Sequence, residues 1–189
     1  MTPRSSEKAA SAKAAATAAA TPSRNDFLKA LFANTTGPVY TCSFTNERGV
    51  APEERVITRK PGQITHFLKK WDKPGRGAFV CVGVLKEGAK RRAKENIEQT
   101  VCLHADIVFK DVDSLGEEPT RFVLRQLARL KYPPSIIVMS GGGVHAYWLF
   151  KEALATQENM ERIEAALHQL ADVLANLAIS RCAKSRALC

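Results

Sequence analysis

The sequence lacks several features that would place it in a specialised structural class. No two of its five cysteines are separated by two residues, which favours neither a disulfide framework nor a zinc site. No apolar run reaches the roughly 18 residues that a membrane-spanning helix requires, and the N-terminus lacks the apolar stretch of a secretory signal. No internal repeat indicates a solenoid. We therefore expect a cytoplasmic protein in a reducing compartment, without a membrane partner.

Acidic residues are scarce relative to basic ones. The 189 residues include 28 Lys and Arg against 19 Asp and Glu, which gives a net charge of +9. Such a balance favours a polyanionic partner, either nucleic acid or anionic lipid. With 45% hydrophobic residues, the chain can build an ordinary globular core, and the composition excludes collagen-like and fully disordered classes.

Composition divides the chain into an arm and one folded domain. Residues 1–24 are rich in Ala, Ser and Thr with scattered basic residues, and they contain too few large apolar side chains to form a core. We expect a disordered basic arm here, although the composition also fits an organelle transit peptide. Residues 25–189 are expected to form a single domain.

Hydrophobic periodicity predicts an α+β fold with helices packed on a sheet. Apolar residues recur at helical spacing in some segments and alternate or run continuously in others. The predicted helices cover 25–32, with Asn25 as the cap, 63–71, 118–130 and 156–179, and the predicted strands cover 37–45, 78–85, 100–109, 135–139 and 144–150, with a turn at 46–52.

One strand contains a carboxylate that an apolar environment would not tolerate. Asp106 lies inside the run from Thr100 to Phe109, and an unpaired buried carboxylate is energetically costly. The pattern therefore favours an opening or a metal site at Asp106. A strand-end aspartate that accepts hydrogen bonds from the backbone is the structural alternative.

A glycine-rich turn precedes a second polar position. Ser140 and Gly141–Gly143 separate two predicted strands, and alternation places His145 on the face opposite Val144. Three glycines allow a phosphate to approach the backbone, whereas a plain hairpin is the simpler explanation of the turn. His145 is predicted to bind an anionic ligand, the alternative being a structural hydrogen bond.

The segment between the second and third predicted strands concentrates positive charge. We predict that its basic side chains contact nucleic-acid phosphates, although most charge runs are solvated surface. The predicted contacts are Lys90, Arg91, Arg92 and Lys94.

Two segments together resemble a known superfamily. HADIVFKDVD, from His104 to Asp113, and PPSIIVMSGGGVHAYWLF, from Pro133 to Phe150, resemble the archaeo-eukaryotic primase superfamily, specifically the RepB-like and prim-pol domains of plasmids and phages. The first segment is similar to that family's Asp-x-Asp strand motif, and the second to its Ser-Gly-x-Gly-x-His motif. The resemblance spans about residues 36–179.

The resemblance implies template-directed nucleotidyl transfer on an RRM-like sheet with packed helices. Divalent metal, Mg²⁺ or Mn²⁺, would be held by carboxylates, of which Asp106 matches the first. His145 matches the histidine that contacts the triphosphate of the incoming nucleotide, and Ser140 with Gly141–Gly143 would shape the adjacent phosphate pocket. The implied partners are a DNA template, nucleoside triphosphates and a replicative helicase.

The sequence departs from the family pattern at two places. The second acid of the strand motif is replaced by Val108, and Asp111 and Asp113 have the opposite strand parity to Asp106. We therefore expect weak metal binding. A further strand with a third acid would follow the last helix, whereas the sequence ends at Cys189, so the domain is expected to be C-terminally incomplete.

Three functions remain open from the sequence. The first is a primase-polymerase domain, either active or degenerate. The second is a noncatalytic, replication-associated DNA-binding module that has lost the metal chemistry. The third is an unrelated basic α+β domain that binds RNA.

Overall fold

In a computed structural model, which describes residues 22–45 and 54–177, helices and strands are mixed along the chain. The helices are α1 (Arg24–Leu31), α2 (Pro61–Trp71), α3 (Pro119–Ala128) and α4 (Met160–Asn176). The strands are β1 (Val39–Thr45), β2 (Glu54–Thr58), β3 (Arg76–Leu85), β4 (Ile97–Val108), β5 (Ile136–Met139) and β6 (Gly143–Ala155). This composition of elements confirms the predicted α+β class.

The strands form one antiparallel sheet in the order β2-β1-β3-β4-β6-β5. The ladder between β3 and β4 joins Gly83, Val84 and Leu85 to the beginning of β4. Farther along, toward the end of β4, no ladder pair joins these two strands in the described chain. The sheet therefore opens between its two halves at the end where β4 finishes and β6 begins.

Helices cover both faces of the sheet. On one face, Ile64 and Leu68 of α2 pack against Val39 and Val84, and Leu31 of α1 packs on the neighbouring strands. On the other face, α3 and α4 pack on β4 and β6 through their buried apolar side chains. Those side chains recur at helical spacing, as the sequence predicts, at Phe122, Val123, Leu127, Ile163, Leu167 and Leu174.

The first helix begins one residue earlier than predicted, and Asn25 does not cap it. The side chain of Ser23 accepts a hydrogen bond from the Asp26 amide, and the Asp26 carboxylate accepts one from the Ser23 amide. This reciprocal capping box satisfies two terminal amides, which a cap at Asn25 would leave open. Helix α3 begins at Pro119, one residue later than predicted, and the Glu118 carboxylate caps it by accepting hydrogen bonds from the Thr120 and Arg121 amides.

Two further boundaries differ for physical reasons. Strand β2 is not among the predicted strands, because its letters ERVIT show little apolar alternation and only Thr58 is buried. Helix α4 begins at Met160 rather than at Thr156, because the Thr156 amide donates to the Glu98 carbonyl and its hydroxyl lies 2.9 Å from that of Thr100. These two contacts hold Thr156 against β4 directly after β6, which extends to Ala155 and is longer than predicted.

Some sequence expectations fall outside the described residues. These are most of the predicted basic arm, the turn predicted at 46–52, and everything after residue 177. None of the helices in the described ranges is long and apolar enough to cross a membrane.

Candidate functional site

Asp106 and His145 face each other at the open end of the sheet. They are direct cross-strand partners on β4 and β6, and Asp106 Oδ1 lies 3.5 Å from His145 Nε2. Their side chains are 62% and 36% exposed, respectively. The carboxylate and the imidazole are therefore both accessible to a ligand from solvent, and Asp106 lies at an opening, as its position in an apolar strand suggests.

The glycine turn borders this pair. The Ser140 amide donates to the Gly143 carbonyl at 3.0 Å, and the Phe109 amide donates to the Gly142 carbonyl at the same distance. These two bonds hold the turn against the end of β4. The turn therefore has a defined place beside His145, which follows it by two residues.

The fold requires two of the three glycines, each for a different reason. Gly141 has a φ of +85°, a backbone conformation that favours glycine. A Cβ at Gly143 would lie 2.1 Å from the Ile107 carbonyl oxygen, so close packing on β4 excludes any side chain there. Gly142 has neither constraint, since its φ is not in the left-handed region and a Cβ would meet open space. The fold does not explain the missing side chain at Gly142.

A second cross-strand pair, His104 and Tyr147, lies on the same face of the sheet, two residues farther along both strands. The two rings stack with centroids 6.3 Å apart, and Phe27 of α1 contacts Tyr147 at 5.2 Å. Burial lowers the pKa of His104, with a further lowering from His145 and an opposing effect of Asp106. Burial also raises the pKa of Tyr147 to about 12. These side chains therefore form a largely neutral surface next to Asp106 and His145.

His104 is absent from the sequence-based set of site residues, although a signal for it exists. It precedes Asp106 by two residues, so the two side chains share one face of β4. The same period of two places Val108 on that face, opposite Gly143. The apolar side chain of Val108 thus stands where a second carboxylate would extend the acidic site.

The residues around Asp106 do not complete a site for a hard divalent cation. Asp111 and Asp113 follow the end of β4, Asp111 within a 3₁₀ turn. Among residues 22–45 and 54–177, no three His, Cys, Asp or Glu side chains converge as metal ligands. Magnesium and manganese prefer several oxygen ligands, so one carboxylate beside Val108 does not match their needs.

Residues 86–96, which contain the four predicted phosphate contacts and which we call the basic loop, lie at the opposite end of β4 from this site. The loop joins β3 to the beginning of β4, so about 30 Å of strand separate it from Asp106. Arg91 pairs with Glu95 at 3.3 Å, Lys94 pairs with Glu164, and the Arg92 guanidinium lies 5.8 Å from the centroid of the Tyr40 ring. The structure therefore does not bring the loop together with Asp106, His145 or the glycine turn.

Comparison with known proteins gives one informative result. No protein-family profile and no curated protein matches the sequence. Among solved structures, the chain is similar to the AEP domain of the primase-polymerase (PrimPol) of cyanophage S-2L, with a TM-score of 0.51 and 12% sequence identity. The similarity covers 86% of this chain and 76% of the phage chain. The chain thus has the fold of a primase-polymerase AEP domain.

Proposed function

We propose that this chain is a primase-polymerase domain that binds a nucleoside triphosphate where β4 ends and β6 begins. The observation that carries the proposal is the direct pairing of Asp106 and His145, both accessible, beside a glycine turn. The similar fold of the phage primase-polymerase domain supports it, as does the resemblance of both sequence motifs. We further propose that this domain is of the RepB-like type and that a helicase is its partner. Both proposals rest on the motif resemblance alone.

In the proposed complex, the triphosphate lies against the glycine turn. The His145 imidazole donates a hydrogen bond to a phosphate oxygen. The absence of a side chain at Gly142, which the fold does not require, lets the phosphate approach the backbone. The Ser140 hydroxyl supplies an additional donor at the start of the turn. Asp106 lies on the opposite strand, where it faces the same ligand.

The proposed reaction is template-directed nucleotidyl transfer, and we propose that it is slow in this chain. In such a reaction, a divalent metal activates the attacking hydroxyl and stabilises the leaving pyrophosphate. In the second half of β4, Asp106 is the one carboxylate and Val108 occupies the place of a second, so the described residues do not supply the expected ligand set. Magnesium or manganese binding is accordingly proposed to be weak.

A noncatalytic DNA-binding module is the second candidate, and Val108 is the observation that favours it. In this case the nucleic-acid contacts persist without transfer chemistry. Under either candidate, we propose that Lys90, Arg91, Arg92 and Lys94 contact parts of a bound strand remote from Asp106. A strand would have to extend about 30 Å along the sheet to reach both.

Primer synthesis tests the proposed function. The full chain is incubated with single-stranded DNA, labelled nucleoside triphosphates and manganese, alongside Asp106→Ala, Val108→Asp and the matched neutral variant Val108→Asn. We expect a low yield that Asp106→Ala abolishes and Val108→Asp increases. If none of the proteins yields product while all of them bind DNA, the second candidate is correct and the first is wrong.

A further inference from the structure

Three cationic side chains surround one aromatic ring near the beginning of β3. Lys70 Nζ, Lys73 Nζ and the Arg76 guanidinium carbon lie 4.9, 5.2 and 4.8 Å, respectively, from the centroid of the Trp71 ring. We call these four residues the Trp71 cluster. The acidic residue within this segment, Asp72, pairs with Arg24 at 3.1 Å. The cluster therefore presents concentrated positive charge on an aromatic surface.

The local backbone holds the cluster in place. Trp71 is the last residue of α2, and its ring also contacts Phe67, with centroids 6.4 Å apart. A tight turn follows, in which the Arg76 amide donates to the Lys73 carbonyl at 3.0 Å. The Arg76 guanidinium donates to the Ser43 hydroxyl and carbonyl, both at 3.1 Å. Arg76 is thus oriented before any ligand binds.

The cluster lies at the same end of the sheet as Asp106 and His145. Strand β3 begins at Arg76 and β4 ends at Val108, and neighbouring antiparallel strands begin and end at opposite positions along the sheet. The beginning of β3 therefore lies level with the end of β4. The gap between these strands at this end is the opening described above.

The cluster also lies on the same face of the sheet. Arg76 shares the face of Ala78, Val80 and Val84, which pack against α2. The face of Asp106 carries Tyr147, which packs with α1. Phe32, the C-terminal cap of α1, packs against both sets of residues. Asp106 and the Trp71 cluster are therefore on one side of the sheet.

We propose that the Trp71 cluster binds a single strand of nucleic acid and leads it to the Asp106 end of the sheet. The proposal rests on the proposed function, which requires a template at that end. Cationic side chains together with an aromatic ring suit a single strand, because the cations contact phosphates while the ring stacks on a base. A duplex would offer phosphates but no unstacked base.

Tryptophan fluorescence provides a direct test, since the chain contains two tryptophans. Trp148 lies among the residues that pack with α3 and α4, on the other face of the sheet. In the full chain with Trp148→Phe, Trp71 is therefore the sole reporter. We expect saturable quenching by an oligothymidine of about 12 nucleotides. The reciprocal variant Trp71→Phe, which keeps Trp148, should show no quenching.

Charge removal tests the same surface independently. Replacing Lys70 and Lys73, both exposed, by glutamine should weaken oligothymidine binding about ten-fold near 0.1 M salt. The slope of log affinity against log salt should fall in magnitude by about 1.4. The matched control replaces Lys29 and Lys151, two exposed lysines outside the cluster, and should change both quantities much less.

Three results would overturn the proposal. The first is unchanged Trp71 fluorescence while anisotropy shows that the labelled strand is bound. The second is equal weakening by the cluster and control substitutions. The third is equally tight binding of polyglutamate, which would indicate a general polyanion or acidic-protein surface.

Because no readout involves nucleotide transfer, triphosphate binding without Trp71 quenching would refute this inference alone. Trp71 quenching without triphosphate binding would refute only the proposed function.

Discussion

The two ends of β4 offer an instructive contrast. At its C-terminal end, Asp106 and His145 are accessible and face each other. At its N-terminal end, the basic loop has more formal charge, yet Arg91 and Lys94 already pair with carboxylates. A single carboxylate with one imidazole is therefore the better-defined candidate site. A high density of charge in the sequence does not establish that the charge is available to a ligand.

Within the glycine turn, single substitutions separate the glycine that the fold requires from the one that we expect to serve ligand binding. Gly143→Ala should destabilise the protein by about 3 kcal/mol, because the new Cβ would collide with the Ile107 carbonyl. Gly142→Ala should change the free energy of unfolding by less than about 0.5 kcal/mol while weakening triphosphate binding. Urea denaturation and calorimetric titration measure the two effects. Equal destabilisation by both variants would remove Gly142 from the argument for a ligand.

The incomplete acidic site can be tested by restoring a carboxylate. Val108→Asp places a second acid on the face of Asp106, opposite Gly143, which has no side chain to obstruct it. Manganese affinity should rise at least about ten-fold over that of Val108→Asn, because hard cations prefer several oxygen ligands. Adding Asp106→Ala should reverse the gain. Tight manganese binding by the unmodified chain that survives Asp106→Ala would contradict the account.

The contribution of the basic loop to DNA affinity should depend on the length of the bound strand. Replacing Lys90, Arg91, Arg92 and Lys94 by glutamine should leave the affinity for a strand of about 6 nucleotides unchanged. For about 20 nucleotides, which can reach both ends of β4, the affinity should fall. Because carboxylates already neutralise Arg91 and Lys94, the salt slope should decrease in magnitude by about 1.4 rather than about 2.8. Salt-dependent anisotropy titrations measure it, and equal weakening for both lengths would contradict the assigned distance.

A smaller effect, on the pH dependence of stability, is expected from His104. The pKa of His104 is lowered in the folded state, mainly by burial, so the unfolded chain binds more protons once the pH falls below about 6.5. Stability should therefore be full above that pH and decrease as the pH falls toward the folded-state pKa. Urea midpoints between about pH 5 and 7.5 measure this slope. His104→Gln should flatten it; an unchanged slope would assign it to other groups.

The sequence predicts the fold better than it predicts the site. Strong periodicity defines α3, α4, β3 and β4, because each of these elements buries an apolar face. Strand β2 is missed because only one of its five residues is buried, so its letters ERVIT carry little apolar alternation. The first cap is misassigned because Ser23 and Asp26 act together, which a single-residue preference does not capture.

For the site, spacing within one strand was informative and distance between strands was not. The period of two predicts that His145 lies opposite Val144, and the structure confirms this alternation. The sequence cannot give the register that pairs Asp106 with His145, since β4 and β6 are joined through α3 and β5. For the same reason, the separation of the basic loop from Asp106 and the proximity of Trp71 to Arg76 emerge only from the folded chain.

Photocrosslinking shows directly whether a nucleoside triphosphate binds at the glycine-turn end of the sheet. The probe carries its photoreactive group on the γ-phosphate, and the labelled peptides are mapped by mass spectrometry. We expect labelling of residues 140–145, greatly reduced by His145→Ala at an unchanged melting temperature. His168→Ala, at an exposed position of α4, should leave the labelling unchanged. Labelling of the basic loop instead, or labelling of the turn that does not depend on His145, would show that the triphosphate does not bind as proposed.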